Sequence, residues 1–183
     1  MTYLGRVLAL LSLGIALGLC ICPAALAQQS TGSPSTSPSA KDAKFLKEAA
    51  DGGMAEVELG KLAADKASSP EVKQFGQRMV EDHGKANDEL KDLATQKHVD
   101  LPAEPSAKHK ATMARLEKLS GEQFDKAYMA DMLKDHKKDV AAFQRQSVSA
   151  QDPDVKSFAE KTLPTLQEHL KQAQSLASAT RTQ

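Results

Sequence analysis

A helix-start signal occurs twice in this chain, and it restricts the folds that the chain can adopt. Residues 70–76 read PEVKQFG and residues 153–159 read PDVKSFA, an offset of 83 residues. Ser69 and Asp152 directly precede the two prolines. A Ser or Asp cap followed by proline is typical of a helix N-terminus, because proline has no N–H to leave unpaired there. The duplication therefore predicts two similar helical hairpins.

Apolar residues recur at three- and four-residue spacing through most of the chain after residue 40, which is the period of an α-helix. Aromatic residues make up 4% of the sequence and Trp is absent, and runs of residues that favour strands are missing. We predict an all-α, ferritin-like four-helix bundle, in which two long hairpins are joined by a short crossover helix. The predicted helices span residues 41–67, 70–98, 106–119, 122–150 and 153–179.

Residues 1–27 have the features of a cleavable secretory signal: basic Arg6, an apolar run over 7–19, and the small-residue site Ala25-Leu26-Ala27. The apolar run is too short to favour a membrane span. Cleavage after Ala27 would also remove both cysteines of the sequence. We expect a periplasmic or secreted protein without a transmembrane anchor once the signal is removed.

A Ser-, Thr- and Pro-rich stretch at residues 28–40 predicts a flexible linker ahead of the helical domain at 41–179. Arg6 is the only charged residue before this linker, so the remaining chain has a net charge of −1. Electrostatic capture of nucleic acid is therefore not expected. Envelope components are the candidate partners of such an exported protein.

Four polar residues lie on the predicted apolar stripes of the four long helices: Glu56, His83, His136 and His169. Two of the histidines end a repeated Met-x-x-Asp-His motif. Each of the four lies within about three residues, or roughly 5 Å of helical rise, of the middle of its helix. Because an unsatisfied buried polar group costs about 1 to 3 kcal/mol, we expect these side chains to meet in one central layer.

Two arrangements would satisfy this layer. Glu56 could accept hydrogen bonds from the histidines in a buried network, or three imidazoles and the carboxylate could bind one zinc, iron or manganese ion. Asp82, Asp135 and Glu168 each directly precede a histidine and are predicted either to orient the ligands or to be solvated charges. Gly52 and Gly53, beside Glu56, would allow close helix approach or room around a site.

Other cofactors are less favoured by the sequence. The methionine and phenylalanine positions follow ordinary helical spacing and predict core packing, which leaves copper binding through methionine as a lesser alternative. The residues concerned are Met54, Phe75, Met79, Met132 and Phe143. No haem or nucleotide is expected, and no catalytic residue is predicted.

The chain resembles a bacterial family of secreted, ferritin-like proteins of unknown function, often labelled as outer-membrane or periplasmic proteins. The resemblance covers residues 44–176 and is carried by the two Met-x-x-Asp-His motifs, by Glu56 in its Gly53–Glu56 setting, and by Leu163-Pro164 ahead of His169. It implies a ferritin-like fold and little established chemistry.

The sequence departs from di-iron ferritins at the positions three before each central histidine. A di-iron centre needs Glu there, whereas the chain has Val80, Leu133 and Leu166. We therefore predict a non-enzymatic envelope accessory or stress-related binding module with a mononuclear metal site. The alternatives are a metal-dependent redox enzyme, removing peroxide or oxidising iron, and a structural interaction protein with a buried polar network.

Overall fold

The computed structural model describes residues 37–182, so the predicted leader and most of the predicted linker lie outside the described residues. The predicted all-α bundle of two long hairpins and a crossover helix is confirmed, and each predicted helix end agrees within two residues. The helices are α1 (Ala40–Lys66), α2 (Pro70–Gln96), α3 (Ala107–Glu117), α4 (Gly121–Ser149) and α5 (Pro153–Ala179).

Local sequence explains where the second helix of each hairpin begins. Ser69 Oγ accepts a hydrogen bond from the Val72 amide at 3.4 Å, and Asp152 Oδ1 accepts one from the Val155 amide at 3.2 Å. The amide groups of the first helical turn have no backbone acceptor within the helix, and these bonds satisfy one of them in each case. The two predicted caps are therefore present. α5 also continues through Pro164, which lies inside it.

Two buried aspartates tie the hairpins together at opposite ends of the bundle. Asp125, near the start of α4, accepts hydrogen bonds from the amides of Ser68 and Ser69 at 3.0 and 2.8 Å. Asp42, near the start of α1, accepts from the amides of Gln151 and Asp152 at 3.1 and 3.0 Å. The start of each of these helices thus lies beside the end of the other. α1 and α4 therefore run antiparallel, and α2 and α4 run parallel.

The bundle core consists of two apolar clusters with a polar layer between them. The first cluster surrounds the α1–α2 turn and includes Leu59, Phe75, Met79, Tyr128 and Met132. The second lies toward the other end and includes Phe45, Leu90, Phe143, Phe158 and Leu166.

The predicted core role holds for Phe75, Met79, Met132 and Phe143, whereas Met54 is only partly buried. No helix within residues 37–182 combines the length and apolar character that crossing a membrane requires.

Glycines allow α1 and α2 to approach closely, although not at every predicted position. A Cβ atom built on Gly60 would lie 2.6 Å from the Gly76 carbonyl oxygen, so only glycine fits at this crossing. A Cβ on Gly53 would overlap the side-chain amide of Asn87 on α2, which agrees with the predicted close helix approach. A Cβ on Gly52 would meet no described atom within 4 Å, so close packing does not explain that glycine.

We predict that Asp125→Ala destabilises the protein by about 2 to 4 kcal/mol, because it leaves two backbone amides without their charged acceptor. Asp42→Ala should have a similar effect at the other end of the bundle. Urea denaturation followed by circular dichroism measures the free energy of unfolding. The exposed Asp88 is the matched control, and its replacement by Ala should change stability by less than about 0.5 kcal/mol. A near-neutral Asp125→Ala would show that the clamp does not stabilise the bundle.

Candidate metal centre

Each long helix contributes one side chain to the polar layer between the apolar clusters. Glu56 comes from α1, His83 from α2, His136 from α4 and His169 from α5. Their exposed fractions are 4%, 6%, 0% and 0%. The structure thus brings together all four residues singled out in the sequence. Each of the four residues lies near the middle of its helix, so their side chains meet only when the four helices are in register.

One nitrogen of each imidazole lies beside an oxygen at the edge of the cluster. His83 Nδ1 lies 3.0 Å from Glu56 Oε2, and His136 Nδ1 lies 3.0 Å from the Met132 carbonyl oxygen and 3.4 Å from Glu56 Oε1. His169 Nε2 lies 2.8 Å from Asp82 Oδ2. These oxygens are acceptors, so they favour the tautomer in which the outer nitrogen carries the proton.

The other nitrogen of each ring is buried and has no hydrogen-bond partner within residues 37–182. These atoms are His83 Nε2, His136 Nε2 and His169 Nδ1. The three rings offer one nitrogen each within 4.8 Å of the others, and the ring centroids are 5.3 to 5.7 Å apart. A Zn–N bond measures about 2.0 to 2.1 Å, so nitrogens bound to one tetrahedral ion lie about 3.4 Å apart and the rings would have to move closer to share it. The donor set therefore fits one metal ion.

Burial keeps these imidazoles neutral, which is the form that binds metal. Burial lowers the pKa of His83 well below its usual value, and the neighbouring His136 and His169 lower it further. Burial likewise lowers the pKa of His136 to about 4. The pKa of His169 is also lowered by burial, although its hydrogen bond with Asp82 opposes this. No proton has to be expelled from the imidazoles at neutral pH before a metal binds.

A second carboxyl group, Asp139 on α4, lies against Glu56 and was not singled out in the sequence. Burial raises the pKa of Glu56 well above its usual value, and the charge of Asp139 and its hydrogen bond add to the effect. Burial raises the pKa of Asp139 to about 7. The repeat could have revealed this residue, because Glu56 and Asp139 are 83 residues apart, the offset that separates the two helix-start signals.

The three predicted orienting acids have different environments. Asp82 contacts His169 across the bundle and also accepts a hydrogen bond from Arg78 Nε at 3.2 Å. Although burial opposes it, the hydrogen bond from His169 and that from Arg78 lower the pKa of Asp82. Asp135 pairs with Lys138 at 3.0 Å, and Glu168 is exposed. Among these three acids, only Asp82 forms a hydrogen bond with a central histidine.

The side of the centre that faces the first apolar cluster is formed by Phe75. Its ring centroid lies 6.2 Å from that of His136, 6.5 Å from that of His169 and 6.3 Å from that of Tyr128, in edge-on contacts. Tyr128 is fully buried, and its hydroxyl has no partner among the described residues. Apolar and aromatic groups therefore shield this side of the centre from water.

His109, in the first turn of α3, lies outside the centre. Its Nδ1 is 3.3 Å from Asp51 Oδ2, and Asp51 also accepts a hydrogen bond from the Ser106 amide at 2.6 Å. Asp51 thus joins the start of α3 to α1. His109 belongs to this attachment of the crossover helix.

Fold and centre together define an all-α bundle with three buried histidines converging from three helices. The model of the family described as "Domain of unknown function (DUF4142)" matches residues 26–176, and the chain belongs to this family. The ferritin-like resemblance itself stays a prediction. A search of curated proteins by sequence found no match.

Solved structures with a similar fold include two proteins of low sequence identity. The crystal structure of a DUF305 fragment from Deinococcus radiodurans is 13% identical, with a TM-score of 0.68, and the match covers 78% of this chain and 98% of the fragment. CopM in the Cu(II)-bound form is 16% identical, with a TM-score of 0.64, and the match covers 75% of this chain and 96% of CopM. CopM in the Cu(I)-bound form is similar to the same degree, with a TM-score of 0.63. At these identities the likeness shows the fold alone.

We predict that His136 and Asp139 have opposite effects on the acid stability of the metal-free protein. Between pH about 4 and 6.5, the unfolded chain binds a proton at His136 that the native state does not, so stability falls as the pH falls. Between pH 3.8 and about 7, the native state binds a proton at Asp139 that the unfolded chain does not, so stability rises as the pH falls.

The measurement is the free energy of unfolding by urea at several pH values from 4.5 to 6.5, a range that lies within both windows. His136→Leu should reduce the acid-side loss of stability by up to about 1.4 kcal/mol per pH unit, and Asp139→Asn should increase that loss by up to the same amount. Identical slopes in the wild type and both variants would contradict the assigned pKa directions.

Proposed function

We propose that this protein is an exported, non-enzymatic binding module that holds one transition metal ion through His83, His136 and His169. The observation that carries the proposal is the set of three buried histidines on three helices, each of which has one unpartnered ring nitrogen and offers one ring nitrogen within 4.8 Å of the others. A purely structural network involving Glu56 would leave these nitrogens unsatisfied, at about 1 to 3 kcal/mol each. One metal ion would satisfy all three at once.

Glu56 is assigned an orienting role in this proposal rather than that of a fourth ligand. Its two oxygens lie beside the Nδ1 atoms of His83 and His136, whereas the unpartnered nitrogen of each ring is Nε2. Outer carboxylates of this kind set the tautomer and orientation of a ligating histidine and increase its basicity. Asp82 has the same role for His169, and the Met132 carbonyl has it for His136.

The donor chemistry narrows the choice of metal. Neutral imidazoles suit zinc, copper, iron and nickel, whereas manganese prefers carboxylate, carbonyl and water oxygens. Copper becomes a leading candidate together with zinc, since divalent copper binds most tightly in the first-row series and CopM of similar fold has copper-bound forms. In this proposal copper would bind through imidazole rather than through the methionines considered in the sequence.

The predicted secretory signal at residues 1–27 supports an extracytoplasmic location for this module. Such a location would place the centre where it can capture or buffer metal ions in the cell envelope. Envelope components remain its candidate partners.

We predict that the purified protein binds one equivalent of copper or zinc in the histidine centre. At a free metal concentration of 100 Kd, binding to the native state alone should stabilise it by about 2.7 kcal/mol. Isothermal titration calorimetry gives the stoichiometry, and thermal unfolding with and without metal gives the stabilisation. Tyr128 provides a further signal, because it shares the Phe75 ring with two of the histidines and the only other tyrosine, Tyr3, lies in the predicted leader. Divalent copper should quench its fluorescence.

Loss of a residue that only orients a ligand reduces metal affinity by about 10- to 100-fold. His83→Gln and His169→Gln each remove a ligand and should reduce the affinity by more than this. His109→Gln is the matched control, since this histidine is also partly shielded but lies outside the centre, and it should bind like the wild type. Absence of bound metal in the wild type, or equal binding by all these variants, would refute the proposal.

We predict that Asp82→Asn weakens metal binding by about 10- to 100-fold while leaving the stoichiometry unchanged, because it removes the charged acceptor that orients His169. The measurement is a competition titration against a chelator of known affinity. Asp88→Asn, which changes an exposed aspartate on the same helix, is the control. Unchanged affinity in Asp82→Asn would show that this contact does not tune the centre.

A further inference from the structure

A small cavity lies directly beside the three-histidine centre. Its volume is about 30 Å³, which is room for about two water molecules. Its polar wall consists of Glu56, His83, Asn87 and Asp139, and its remaining walls are mostly apolar. A cavity of this size and polarity next to a metal centre is suited to a small polar ligand or a hydrated ion.

The polar wall includes groups that lack partners. Glu56 Oε1 and His83 Nε2 are buried and have no hydrogen-bond partner among the described residues. Asp139 lines the same wall as Glu56, so two carboxyl groups border the cavity. Carboxylate oxygens are the ligands of choice for a divalent cation that still carries part of its water shell.

The internal repeat explains why space remains here. The residues 83 positions away from the three histidines are Leu166 for His83, Gly53 for His136 and Ala86 for His169. All three of these residues line the cavity. The cavity therefore lies where the duplication would place a second histidine centre. Glycine and alanine stand there in place of two of the histidines. Glu56 and Asp139 are also related by the 83-residue offset, and both line the cavity next to the histidine centre.

Two glycines of α1 line the cavity: Gly53, which is buried, and Gly52, which is only partly buried. A Cβ on Gly52 would meet no described atom within 4 Å, although this residue lines the cavity. Glycine inside a helix costs about 1 kcal/mol relative to alanine. Neither packing nor helix formation accounts for Gly52, whereas an unobstructed opening does.

We propose that this cavity is the port through which a metal ion reaches the three histidines, and that the Glu56–Asp139 carboxyl pair is the capture site that binds the ion first. The inference rests on the proposed metal-binding function. The carboxylates would hold a divalent cation that has lost only part of its water, and His83, which borders both places, would receive it as the imidazoles replace the oxygen ligands. Any first-row divalent ion that imidazole accepts would use the same route.

The test is a stopped-flow measurement of copper loading, followed through quenching of Tyr128 fluorescence. Gly52→Leu should place its side chain over the opening without a clash and slow loading by at least about tenfold, because entry then requires a rearrangement. Release should slow to the same degree, which leaves the equilibrium Kd unchanged. Gly84→Leu is the matched control: Gly84 is also a helical glycine whose Cβ would meet no described atom within 4 Å, but it lies outside the cavity. It should load like the wild type.

Asp139→Asn tests the capture site, since it preserves the shape of the side chain and removes its charge. Loading should again slow, and the loading rate should fall by a larger factor than the affinity. Wild-type loading by Gly52→Leu would overturn the port, as would a loss of affinity without slower loading. Wild-type loading by Asp139→Asn combined with slow loading by Gly52→Leu would overturn the capture site and support the port. If the wild type binds no copper or zinc at equilibrium, the proposed function fails instead, and this result is separate from the kinetic ones.

Discussion

The structure depends on how three imidazoles are satisfied between two apolar clusters. Their outer nitrogens lie beside Glu56, Asp82 and the Met132 carbonyl, and these contacts hold the rings so that the inner nitrogens converge. A shift of one helix by a turn would move its histidine about 5.4 Å and bury it against apolar side chains. The polar layer therefore favours one register of the four long helices, because other registers would also separate the outer nitrogens from Glu56 and Asp82.

The internal duplication gives the bundle its frame, and its departures from symmetry give it a site. Asp42 and Asp125 are 83 residues apart and perform the same task, each holding the turn of the other hairpin. Glu56 and Asp139 are related in the same way and meet at the centre. The histidines break this pattern, since their counterparts are Gly53, Ala86 and Leu166. One half of the layer is thereby filled with imidazole and the other half retains space.

Much of the fold followed from local rules. Helix-start signals and apolar periodicity were sufficient to locate α1 to α5 within two residues, because capping and amphipathic burial act over a few neighbouring residues. The position of each central residue near the middle of its helix placed all four in one layer. The sequence did not identify Asp139 because this residue lies at the edge of the apolar stripe of α4 and is only partly buried. Its role depends on contact with Glu56. The close crossing at Gly60 and Gly76 was missed for a similar reason, since each glycine has meaning only opposite the other.

The sequence by itself determined an all-α bundle of two hairpins with Glu56 and three histidines at its middle, because these features depend on spacing along single helices. Only the tertiary structure decided how these residues are paired. Asp82 directly precedes His83 but contacts His169, since adjacent residues on a helix point about 100° apart while neighbouring helices bring distant residues together. The same packing brought three histidine rings together and left a cavity beside them, and no property of one helix alone could specify either result.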